Sequence, residues 1–161
     1  MIARHRWNVL RSLGLLALLC AVPLALGWDA PPERKVRVSV VVILASETDT
    51  TIDKKLECIA REVKKMHPKL KGFRMGPMGC KSLKIGEANV FDLAEGKTTT
   101  ITIQQAADKM DRIRLEVGPP KMGKITYSTP CGMFLPILTP YRTKANETLI
   151  IAIRVQPCNG K

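Results

Sequence analysis

The sequence predicts an α+β domain: one N-terminal-proximal helix packed on a mostly antiparallel, sandwich-like β-sheet, stapled by two disulfides. Three observations carry that expectation. Short alternations of apolar and polar residues recur along the second half of the chain, punctuated by glycine and proline. One apolar stripe at helical spacing lies ahead of them. Four cysteines remain once an N-terminal export signal is set aside.

The signal comes first. Arg4, His5, Arg6 and Arg11 form a positive start, an apolar run from Leu13 to Leu26 follows, and Ala25-Leu26-Gly27 fits the small-x-small cleavage rule. The run between Arg11 and Asp29 is short for a hydrocarbon core, which takes about 20 residues, and Pro23 weakens it further. Residues 1–27 therefore read as a signal peptide, with an uncleaved membrane anchor as the alternative. Leu19 stands where lipoprotein processing needs a small residue, so Cys20 reads as filler of the apolar run. The chain is expected in the periplasm, the cell envelope or the medium of a bacterium. Removing residues 1–27 leaves 134 residues, and the formal charge falls from +12 to +9 because three arginines and no acids leave. That length suffices for one domain with its own core.

Residues 28–35 form a short polar lead-in, and residues 36–161 form the domain. Val36, Val38, Val40 and Val42 alternate with Arg37 and Ser39, then both faces turn apolar through Val41, Ile43 and Leu44. This pattern is a strand entering the middle of a sheet. Thr50 to Met66 reads as the helix, with Thr50 and Asp53 as a capping box. Ile52, Leu56, Ile59, Val63 and Met66 make its apolar stripe, Asp53, Glu57, Arg61 and Lys64 its wet face, and Pro68 its stop. Residues 69–88, crowded with glycine and lysine, read as a loop holding one short strand around Lys81–Ile85. Strands follow at Phe91 and Leu93, Ile101 and Ile103, Ile113 to Val117, Ile125 to Thr129, Phe134 to Leu138 and Leu149 to Val155.

Cys58, Cys80, Cys131 and Cys158 lie at least 22 positions apart, too far for a C-x-x-C motif or a zinc knuckle. An even number in an exported chain reads as two disulfides. A hairpin centred between Lys144 and Ala145 sets Phe134 opposite Val155, Leu138 opposite Ile151 and Cys131 opposite Cys158. Cys131–Cys158 with Cys58–Cys80 is therefore the preferred pairing. Each bridge would close a loop of roughly 25 residues, worth about 3 kcal/mol in the chain-entropy picture.

Catalytic chemistry is thinly represented, and no enzyme activity, metal or cofactor is expected. The mature chain holds one histidine, His67, whose place at a helix end has an electrostatic reason already. A carboxylate site built from Glu47, Asp49, Asp53 and Glu57, with lysine help, is the enzymatic alternative. No glycine cluster follows a strand and opens a helix, so no phosphate loop is read. Asn146-Glu147-Thr148 matches the N-glycosylation pattern, which bears only on a eukaryotic secretory route.

Two features point to binding. Lys54, Lys55, Lys64, Lys65, Lys69, Lys71, Arg74, Lys81 and Lys84 form a basic region suited to an anionic envelope polymer. Nucleic acid is disfavoured, because aromatic residues make up only 4% of the chain and stacking platforms need them. The second feature is the apolar, proline-marked strand carrying Phe134, Leu135, Ile137 and Leu138, a sheet edge that could take a protein partner.

Val40-Val41-Val42-Ile43-Leu44-Ala45-Ser46, Cys80-Lys81-Ser82-Leu83 and Thr148-Leu149-Ile150-Ile151-Ala152-Ile153 follow an order that resembles a family of small uncharacterised exported bacterial proteins with no assigned activity. The resemblance spans most of the mature domain and implies a compartment and a fold, with no mechanism. The closing hairpin is also loosely similar to β-domains of secretion-channel components, which implies an accessory role in a secretion assembly as a further alternative.

Overall fold

Alternation along the first strand already requires two layers of cover, and the structure supplies them. The protein is described by a computed structural model over Arg34–Cys158; the expected signal peptide at residues 1–27 and most of the expected lead-in lie outside the described residues. Strand β1 (Lys35–Ser46) is followed by a 3-10 turn at Lys54–Leu56 and helix α1 (Glu57–Met66). Seven strands come next: β2 (Gly72–Lys84), β3 (Ala88–Asp92), β4 (Thr98–Gln105), β5 (Arg112–Gly118), β6 (Ile125–Pro130), β7 (Phe134–Arg142) and β8 (Thr148–Pro157). They form two antiparallel four-stranded sheets, ordered β2-β1-β8-β7 and β3-β4-β5-β6. The α+β class and the mostly antiparallel architecture stand.

Even-numbered residues of β1, Val36 to Leu44, face the second sheet together with Leu149, Ile151, Ile153 and Val155 of the neighbouring β8, and share a core with Ile101, Ile103, Ile113, Leu115 and Val117 of that sheet's strands β4 and β5. The odd residues Val41, Ile43 and Ala45 face outward with Ile150 and Ala152, beneath Leu56, Ile59, Ala60 and Val63 of the helix layer. β1 and β8 are thus buried on both sides, which is why they read as nearly continuous apolar runs. The outward face of the second sheet is polar, with Thr102 opposite Glu116 and Arg114 opposite Ser128.

The helix begins later than the capping-box reading required. Ile52 forms a parallel bridge with Phe73, and the Asp53 carboxylate accepts the Met75 N–H at 2.6 Å instead of capping a helix. Its end at Met66, with His67 as the cap residue, agrees with the Pro68 stop. Residues 72–84 are one long strand rather than a loop. Their glycines mark close approaches: a Cβ on Gly72 would sit 2.7 Å from the Asp49 carbonyl oxygen, and one on Gly79 would sit 3.1 Å from the Phe91 ring.

The two disulfides are corrected. All four cysteines are free thiols. The pairing failed through register: β7 meets β8 with Phe134 opposite Arg154 and Leu138 opposite Ile150, and an irregularity between Leu138 and Arg142 absorbs the difference. That one-residue slip reverses the faces. Phe134 and Leu138 pack towards the helix layer, while Cys131 packs against the intersheet core. Cys158 donates to Ser82, whose register partner is Arg37 of β1, and Cys58 lies exposed on the helix. None of them is bonded to its assigned mate.

Candidate anion-binding face

Helix α1 packs on Val41, Ile43 and Ala45 and leaves the other end of that sheet face open. Following the same alternation along β1 brings Ser39, Arg37 and Lys35 to the open end. Register adds the neighbours: Ser39 lies opposite Cys80 on one side and Arg154 on the other, and Arg37 lies opposite Ser82 and Gln156. Arg37, Cys80, Ser82 and Cys158 are exposed; Ser39, Arg154 and Gln156 are half-buried. The segments that build this face, Lys35–Ser39, Cys80–Ser82 and Arg154–Cys158, contain no carboxylate side chain.

Polar contacts here converge on sulfur. Ser39 Oγ donates to Cys80 Sγ at 3.5 Å and Arg37 Nε donates to the same sulfur at 3.3 Å. The Cys158 thiol donates to Ser82 Oγ at 3.6 Å, and its backbone N–H reaches the Lys35 carbonyl at 2.9 Å. The Ser39 hydroxyl and Arg37 guanidinium, with the more distant charge of Arg154, hold the Cys80 thiol below its ordinary value. Cys131 shows the opposite behaviour: burial, with Asp111 and Asp108 nearby, pushes its thiol up. Arg154 lies over the Phe134 ring at 5.2 Å, and its buried Nε has no hydrogen-bond partner among the described residues. An open depression of about 410 Å³, lined by Arg37, Gln156, Pro157 and Cys158, continues the face.

Two guanidinium groups without a carboxylate are set to receive an oxyanion, since their fixed fork of donors matches carboxylate and phosphate oxygens. Sequence reasoning passed over both. The available signal was a change of character at the same level of two adjacent strands, where Val41 gives way to Ser39 and Arg37, and Ala152 gives way to Arg154 and Gln156.

The nine basic residues read from the sequence are divided by the fold. Lys54 and Lys55 lie in the 3-10 turn, Lys64 and Lys65 on α1, and Lys69 and Lys71 in the connection from α1 to β2; Lys54 and Lys55 border a depression of about 330 Å³ with Asp53 and Met75. Lys65 pairs with Glu62 and Lys64 sits over the Phe73 ring. Arg74 makes a forked pair with Glu147, and Lys81 donates to Asn89 and to the Val90 carbonyl. Lys84 lies on β2, its amide bonded to Glu87.

Of the apolar strand, Ile137 is buried between the sheets and Leu135 packs against the same core. Phe134 and Leu138 border the helix layer. β7 is an edge strand, as Pro136 and Pro140 suit, having no N–H to give a further ladder. The carboxylates of the enzymatic alternative do not converge: Glu47 pairs with Arg142, Asp49 accepts from the Thr51 amide, Asp53 from Met75, and Glu57 is exposed. No family model, curated protein or solved structure matches the chain.

Proposed function

We propose that this is a non-catalytic exported module that binds an anionic polymer through the open end of the β2-β1-β8 face. The observation that carries the reading is the pair Arg37 and Arg154: Arg37 has a thiol sulfur as its hydrogen-bond acceptor, and Arg154 has an aromatic ring beneath it. Cations left without acids in a segment free of carboxylates keep their field for a ligand. The helix layer supports the idea less, because residues 47–71 hold seven lysines and arginines against five carboxylates.

Titration with polyphosphate at rising salt tests this. Each lost phosphate contact lowers the slope of log affinity against log salt by roughly 0.7 to 0.9, so Arg37→Ala combined with Arg154→Ala is expected to weaken binding and flatten that slope by about 1.5. Unchanged affinity and slope in the double variant would overturn the reading. Loss confined to a Lys64→Glu, Lys65→Glu, Lys69→Glu, Lys71→Glu variant would move the site to the helix layer.

A further inference from the structure

We propose that the free edge of β2 between Met78 and Ser82 is a docking edge for an extended acidic polypeptide, which adds there as a further strand of the β2-β1-β8-β7 sheet. The acidic character of the partner rests on the reading of Arg37 and Arg154 given above; the open edge does not.

Along a strand, backbone N–H and C=O groups turn alternately to its two sides. Cys158 donates its N–H to the Lys35 carbonyl, so Lys35, Arg37 and Ser39 turn their backbone groups to β8, and Val36, Val38 and Val40 turn theirs to β2. There they meet Leu83, Lys81 and Gly79. The intervening Met78, Cys80 and Ser82 therefore turn their N–H and C=O groups off the sheet, as does Lys84, whose amide bonds to Glu87. Among the described residues, the backbone of Met78, Cys80 and Ser82 has no hydrogen-bond partner on that side.

The other free edges are blunted. On β7, Pro136 and Pro140 have no N–H to offer. On β6, Arg112 donates to the Ser128 carbonyl at 2.9 Å, and Pro130 ends the strand. On β3, Lys81 donates to the Val90 carbonyl at 2.8 Å, and the Val90 N–H bonds to the Asn89 side chain at 2.9 Å. The first part of β2 is covered by Thr51 and Asp53, which bond to Phe73 and Met75. Among the described residues, Met78–Ser82 is the stretch of edge that keeps a bare ladder.

Donors and acceptors alternating along an extended chain fit another polypeptide backbone and not a polyphosphate. Charge then selects among polypeptides. Ser82 stands opposite Arg37, so a residue added beside Ser82 lies two strand spacings, about 10 Å, from Arg37. Only the small serine side chain stands between, and a glutamate and an arginine span that width together. A second copy of this chain would bring two Lys35–Ser39 and Cys80–Ser82 segments together, basic and without a carboxylate, and like charges oppose that pairing. Met78, 66% exposed at one end of the edge, gives an apolar residue of the partner a place to pack.

The test uses the purified, reduced protein and a blocked peptide that alternates glutamate with threonine, with amide hydrogen exchange read residue by residue. Bound peptide is expected to slow exchange at Met78, Cys80 and Ser82 by at least about tenfold, while Gly79 and Lys81, already bonded to β1, stay as they were. The same peptide N-methylated at every amide keeps its charge and cannot build a ladder; it should bind at least about tenfold more weakly. A glutamine–threonine peptide should also bind more weakly, as should the glutamate peptide to Arg37→Ala. Equal binding by the N-methylated peptide, or binding that leaves the Met78, Cys80 and Ser82 amides unprotected, would overturn strand addition. Equal binding by the glutamine peptide would overturn the acidic partner. Protection of the same amides without peptide, in a protein that sediments as a dimer, would assign the edge to a second copy and overturn the proposal. Polyphosphate separates the two readings. If its binding depends on Arg37 and Arg154 while the glutamate peptide protects none of these amides, strand addition alone falls; if neither polyphosphate nor peptide binds, the anion-binding reading falls with it.

Discussion

Gly72 shows how a single missing atom locates a whole segment. Its Cα lies where a Cβ would meet the Asp49 carbonyl oxygen at 2.7 Å and the adjoining carbonyl carbon at 2.9 Å. Both are backbone atoms that cannot swing aside, and next to them Phe73 donates its N–H to Thr51 at 2.9 Å. Gly72→Ala is expected to cost about 1–3 kcal/mol through overpacking, whereas Gly123→Ala, with open space around the added methyl, should be neutral or slightly stabilising. Urea midpoints of the two variants check the contrast. Such a glycine looks like any loop glycine in a sequence, and the cluster from Gly72 to Gly86 therefore reads as irregular chain. The fold uses Gly72, Gly76 and Gly79 for close contacts within a continuous strand. Arg37 and Arg154 were hidden for a different reason: their shared face exists only once the register of three strands is known.

Elements were legible in proportion to how uninterrupted their alternation is. β1, β5 and β8 declare themselves through Val36–Ala45, Ile113–Val117 and Leu149–Val155, and the helix stripe through Leu56, Ile59 and Val63, all buried. The β7–β8 hairpin shows the limit of pattern. Its apolar residues fall on both faces of a strand with cover on both sides, so two registers satisfy the sequence almost equally, and an irregularity after Leu138 decides between them. One contact ties this hairpin to the other sheet: Glu95, in the turn before β4, accepts from the Tyr141 hydroxyl at 2.6 Å and from the Lys144 amide at 2.8 Å. These bonds hold the Glu95 carboxyl below the ordinary range, the Tyr141 hydroxyl first among the causes. A carboxyl depressed in the folded state adds stability above its unfolded value, about 4.3 for glutamate, and loses it as pH falls through the folded value. Thermal midpoints should therefore drop on acidification below about pH 4, and Glu95→Gln should show a smaller drop and a lower midpoint at neutral pH. An identical acid profile in the variant would mean that the clamp contributes nothing measurable.

At the scale of the whole molecule, two cores share one pair of strands. Val38, Val40 and Val42 of β1 serve the intersheet core while Val41, Ile43 and Ala45 serve the helix layer, and β8 divides in the same way through Ile151 and Ile153 against Ile150 and Ala152. The intersheet core draws on both sheets and holds most of the fully buried large side chains, Ile101, Ile103, Ile113, Leu115, Leu149, Ile151 and Ile153 among them. The helix layer is a ten-residue helix with a short turn before it, too short to persist in water once undocked. Unequal layers on a common ladder imply graded opening: α1 should release without disrupting the sandwich, whereas β1 and β8 should open only with global unfolding. Amide hydrogen exchange under native conditions should find the slowest protons in Val38–Ile43 and Ile150–Val155, and faster ones in Ile59–Val63. Leu56→Ala removes a fully buried anchor of the helix layer; a cost of about 2–5 kcal/mol is expected, with α1 amides losing protection before those of β4 and β5. Ile103→Ala, fully buried between the sheets, should cost a similar amount while lowering protection in β1, β4 and β8 together. If Leu56→Ala lowered protection evenly across β1, β4 and α1, the two cores would be one cooperative unit, and the open end of the outer face could not be remodelled independently of the sandwich.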